Sequence, residues 1–103
     1  MIRTVLAAGL YTVVAAGAQA ADGGDPANGE TLARSACAMC HKLPDGSGAD
    51  VGPALPEIAA DQAPFRPETI VEVLNQPQHA PAKAQVDLPA EADDLAAYLN
   101  GLQ

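Results

Sequence analysis

Apolar side chains along this chain fall at helical rather than strand spacing. Leu32, Ala33 and Ala36 share one face, Ile70, Val71, Val73 and Leu74 a second, and Leu95, Tyr98, Leu99 and Leu102 a third. Steps of three and four residues put such positions on one side of an α-helix. The boundaries agree with the spacing. Asp25-Pro26 reads as an N-cap followed by proline at the first helical position, where no backbone N–H is needed. That helix runs from Pro26 towards Cys37. Pro67-Glu68 opens a second helix, which Asn75 and Pro77 end. A last helix spans about Pro89 to Asn100, with Gly101 as its C-terminal cap. Between them lie a turn-rich loop from Leu43 to Val51 and an extended segment from Gln76 to Asp87 with prolines at 77 and 81. No stretch alternates as a strand does, and nothing repeats. The pattern predicts an all-α domain of three to four helices joined by long loops.

The first twenty residues follow another logic. Arg3 is a lone positive charge, Val5 to Ala18 is a fourteen-residue apolar run, and Ala18-Gln19-Ala20 is an A-x-A cleavage site. This is the arrangement of a secretory signal peptide over residues 1–20, and the run falls short of the roughly 20 apolar residues that span a bilayer. No stable membrane span is expected after cleavage. Residues 21–103 then form one domain of 83 residues, a size that buries only about 60–65 % of its unfolded surface. Its aromatic side chains are Phe65 and Tyr98 alone, so its own core is thin.

Thirteen acidic against five basic residues give a net charge of −8, and without Arg3 the balance becomes −9. With no basic patch, nucleic acid is excluded as a partner. The acidity serves solubility or docking to a basic partner surface, and the sequence leaves both open.

Cys37-Ala38-Met39-Cys40-His41 carries the chemistry. Cys-x-x-Cys-His is the attachment signature of c-type haem. On a helical turn, cysteines three apart lie on nearly one face, and each thiol adds to one haem vinyl group. The adjacent histidine falls under the iron as a proximal ligand. A thioredoxin-like dithiol wants a βαβ setting, which is missing here, and a structural zinc site needs four suitably spaced ligands. Covering on the order of 400 Å² of porphyrin at about 25 cal/mol per Å² contributes roughly 10 kcal/mol gross, which offsets the thin core. The chain without haem is expected to fold poorly.

Over residues 24 to 102 the sequence resembles the class I cytochromes c. Gly29-x-x-Leu32 precedes the haem motif as in that family, where a glycine lets the first and last helices cross closely. Gly52-Pro53-x-Leu55 is similar to the family's Gly-Pro-x-Leu element, with Pro53 twelve residues after His41, and Leu95 to Leu99 to its closing helix. The resemblance implies a cytochrome c-like fold wrapped around one covalently bound haem. It also implies that the Pro53 carbonyl accepts a hydrogen bond from His41 Nδ1 and that Leu55 packs on the haem. Ala33 stands where the family usually has an aromatic at the helix crossing, so a looser contact is expected there.

The family's distal methionine is missing. The corresponding loop reads Gln76-Pro77-Gln78-His79-Ala80-Pro81-Ala82-Lys83, and the chain's methionines are Met1 and Met39. Met39 sits between the cysteines on the His41 side and is expected to act as surface or packing filler. His79 is the leading sixth ligand, ahead of an open iron and of Lys83. Arg66 and Lys42 are candidates for the propionates on charge alone, and read equally as solvated surface bases. The function expected is a periplasmic single-haem electron carrier between redox proteins, cycling Fe(III) and Fe(II), and not an enzyme. The alternatives are a gas-binding haem protein with an open distal site and a fixed haem subunit of a periplasmic dehydrogenase or oxidase.

Overall fold

Asp25 begins the first helix as its position predicts, its carboxylate accepting a hydrogen bond from the Ala27 amide at 3.0 Å. The computed structural model describes residues 23–102, and the signal-peptide reading of residues 1–20 lies outside the described residues. Five α-helices follow in order: α1 Pro26–Leu32, α2 Leu55–Gln62, α3 Pro67–Leu74, α4 Ala80–Lys83 and α5 Ala92–Asn100. A π-helical turn, Ala33–Cys37, continues α1, and a 3₁₀ turn, Pro77–His79, leads into α4. No strand occurs among the described residues.

The N- and C-terminal helices cross at Gly29. A Cβ there would run into the Asp94 carbonyl and come within 2.6 Å of the Tyr98 Cβ, so only glycine permits this approach. Polar bonds tie the crossing at one end: Asp94 accepts from the Asp25 amide at 2.8 Å and from Asn28 Nδ2 at 2.6 Å. Ala33, just beyond the crossing, is fully buried in a cluster with Leu43, Leu55 and Tyr98 of α5.

A second cluster joins Leu32 and Ala36 to Phe65, Ile70, Leu74, Leu95 and Ala96. Phe65 is pinned by its backbone: its amide donates to Asn100 Oδ1 at 2.6 Å and its carbonyl accepts from Asn100 Nδ2 at 3.0 Å.

Three expectations need correction. Helix α2 has no counterpart in the sequence reading, although Leu55, Ile58 and Ala59 keep the i, i+3, i+4 spacing and lie on its inner side. The segment 76–87 is not extended. Pro77 and Pro81 sit in the first turns of the 3₁₀ turn and of α4, where proline favours a helical start instead of blocking one. The last helix starts at Ala92, since Pro89 to Glu91 form a preceding turn, and Gly101 caps it with an ordinary φ of −81°.

Candidate functional site

The Cys37–His41 run folds as one closed turn, with the amides of Cys40 and His41 both donating to the Cys37 carbonyl at 3.1 and 2.9 Å. The π-helical turn feeding it ends at Cys37, so both cysteines and His41 come to the wall of one cleft. The Cys40 carbonyl in turn accepts from the amides of Val51 and Gly52 at 3.0 and 2.7 Å, folding the Gly-Pro segment back onto the motif.

That return fixes the His41 ring. Gly52 lies against it so closely that a Cβ would come within 2.8 Å of the ring. His41 Nδ1 pairs with the Pro53 carbonyl at 2.5 Å, the bond expected from the Gly-Pro element. With Nδ1 donating, Nε2 is the nitrogen left free to bind a metal. Leu55 is buried and lines the same cleft, where Pro53 also lies at the wall.

The cleft holds about 700 Å³, within the range of cofactor sites. Its inner wall is apolar, built from Ala36, Leu55, Ile58, Phe65, Leu95 and Leu99. His79 stands at the wall as well. Its ring centroid is 6.4 Å from that of His41, with the planes inclined by 15°. His79 Nδ1 is buried without a hydrogen-bond partner. An apolar slot with two thiols and two facing imidazoles at its wall suits a planar iron porphyrin.

Cys37 is half-buried, and burial pushes its thiol up to about 11. Cys40 is exposed at the cleft mouth.

A family model described as cytochrome c oxidase, cbb3-type, subunit III matches residues 24–99. The chain belongs to this family of c-type cytochromes. No curated protein and no solved structure matches it. As a cytochrome c domain it binds haem c and works by haem-based electron transfer. The match supports the c-type family as a whole, a coarser assignment than the class I single-haem resemblance.

Other expected site residues fall elsewhere. Lys83 is exposed and does not line the cleft. Neither do Lys42, which donates to the Gly46 carbonyl at 3.3 Å, nor Arg66, which pairs with Glu68 at 3.5 Å. Met39 is exposed and packs at the cleft as expected, and Gln85 Nε2 approaches its sulfur at 3.9 Å, joining the haem motif to the segment after α4. Gln76 and Gln78 at the wall, bonded to each other at 3.0 Å, went unnoticed in the sequence because polar loop residues carry no periodicity.

Proposed function

We propose that the protein is an exported cytochrome carrying one haem, attached through thioethers to Cys37 and Cys40, and that it passes electrons between redox proteins in the periplasm. The observation that carries this reading is the single cleft onto which Cys37, Cys40 and His41 converge. When bound, the haem supplies a one-electron Fe(III)/Fe(II) couple. His41 would hold the iron, and its Nδ1–H, donating to the Pro53 carbonyl, would make the imidazole a stronger donor. Leu55, Phe65 and Leu95 give the cleft an apolar wall, against which the couple would be tuned by protein groups. Exposed Cys40 marks the edge through which electrons would enter and leave. The protein moves electrons and catalyses no reaction of its own.

The family description favours a second reading in which the domain is a fixed subunit of an oxidase. Among the described residues no helix is long and apolar enough to cross a membrane. Co-purification with a larger complex would select this reading, and isolation as a freely diffusing protein the first.

The primary test is maturation in a host that attaches haem to exported apoproteins. The intact mass should equal the chain from about Ala21 plus one haem, and the haem should resist acid–acetone extraction. Haem that extracts, or a mass without it, overturns the proposal.

A further inference from the structure

We propose that His79 occupies the iron's coordination position opposite His41, and that it is the ligand small molecules displace. The inference rests on the haem-carrier reading above. Two observations give the coordination. A metal–imidazole bond of about 2 Å puts each ring centroid roughly 3 Å from the metal, so two imidazoles on one ion stand about 6 Å apart. The rings of His41 and His79 are 6.4 Å apart with planes inclined by 15°, and both line the cleft. The competing donors do not meet this geometry. Lys83 is outside the cleft wall, and Met39 belongs to the same turn as His41.

Displaceability comes from an asymmetry between the two histidines. His41 Nδ1 is bonded to the Pro53 carbonyl, which orients the ring and raises its basicity. His79 Nδ1 is buried with no acceptor. Because Nδ1 is shut away, Nε2 of His79 is the nitrogen assigned to the iron. With Nε2 on the metal, Nδ1 must keep its proton, leaving a buried donor unsatisfied. Hydrogen-bond partners of metal-bound histidines are worth about 10–100-fold in metal affinity, and His79 lacks one. An incoming carbon monoxide or cyanide therefore replaces His79 and leaves His41 in place. The exchange breaks one iron–nitrogen bond and forms one iron–carbon bond, with no electron transferred and the Nδ1 proton retained. The site is closed at rest yet open to small iron ligands, at a rate set by His79 departure.

The test uses the matured holoprotein, with covalent haem first verified by mass so that failure of attachment is scored against the earlier proposal alone. The chain contains only two histidines, so ring-¹⁵N labelling of histidine reports both without mutation. In the ferric protein both rings should show large paramagnetic shifts, and the EPR spectrum should be low-spin. One shifted ring only, or high-spin iron, overturns the coordination. Added cyanide should return one ring to the diamagnetic range, with an observed rate that levels off as cyanide is raised. Cyanide that displaces neither ring overturns the displaceability. His79→Ala should give high-spin iron that binds cyanide at least 10-fold faster, in proportion to its concentration. A His79→Ala protein that stays low-spin with unchanged kinetics overturns both parts, whereas Lys83→Ala should change neither spectrum nor rate.

Discussion

Gly52 passes so close to the His41 imidazole that the ring's orientation depends on there being no side chain at that position. Gly52→Ala would place a methyl within 2.8 Å of the ring and push it off the Pro53 carbonyl. Loss of that bond weakens the imidazole as a donor and stabilises ferric iron less, so the reduction potential should rise, read by spectroelectrochemistry of the holoprotein. An unchanged potential would mean that the Pro53 bond does not tune the iron. Asp45 makes a separate prediction about pH. The Ser47 hydroxyl and amide bond its Oδ1 at 2.6 and 2.9 Å, and Arg34 reaches Oδ2 at 3.1 Å. Together they hold the carboxyl down to about 2. A carboxylate whose folded pKa is depressed contributes stability above its ordinary value of about 4, and that contribution fades as pH falls from there towards 2. Ser47→Ala removes the leading cause, so the Asp45 titration midpoint followed by NMR should move up towards the ordinary value.

At the scale of elements, the crossing of α1 and α5 sets the register of the whole domain. It places the π-helical turn, and hence Cys37, over the cleft, while α5 supplies Leu95 and Leu99 to its wall. Gly29→Val would force the helices apart against the Asp94 carbonyl and Tyr98, and overpacking of this kind costs typically about 1–3 kcal/mol. Thermal unfolding of the holoprotein should show the loss, with the covalent haem content unchanged. Helix α3 has a divided role. Ile70 and Leu74 are buried in the core cluster, and Val73 joins the cleft wall just before the Gln76–His79 segment. The two prolines of that segment restrict φ, which lowers the entropy lost in presenting His79.

Across the whole molecule, the large core residues of the described chain each keep some exposed surface. Ala33, Ala59 and Ala92 are the core's most completely buried members, and no large side chain is fully enclosed. A core this open leaves a cofactor of several hundred Å³ to fill the middle. The chain without haem should therefore lose cooperative unfolding, and far-UV circular dichroism of the Cys37→Ala, Cys40→Ala double variant made without haem should show helix well below that of the holoprotein. The charges belong to the surface, since no charged side chain among the described residues is buried. At a net −9 for residues 21–103, electron transfer to a basic redox partner should slow steeply with added salt, because screening sets in beyond about 10 Å at 0.1 M. A flat salt dependence would assign the acidity to solubility.

The sequence alone determined the helical class and the Cys37–His41 motif, because each is carried by local spacing or by a short motif with its own chemistry, and the family resemblance anticipated the Pro53 bond to His41. The sequence also placed the starts of α1 and α3, where a cap or a proline acts within one turn. It missed α2, whose eight residues lie between a turn-rich loop and Pro64 and gain their stability from packing against α5. It made residues 76–87 extended, because the effect of a proline depends on which turn of a helix it occupies, and that depends on the elements around it. Only the tertiary structure brought His79 to 6.4 Å from His41, left its Nδ1 without a partner and gathered Tyr98 and Ala33 into one buried cluster. Those are contacts between residues 38 and 65 positions apart in the chain, and distances of that kind are fixed by how the helices pack, which no local pattern records.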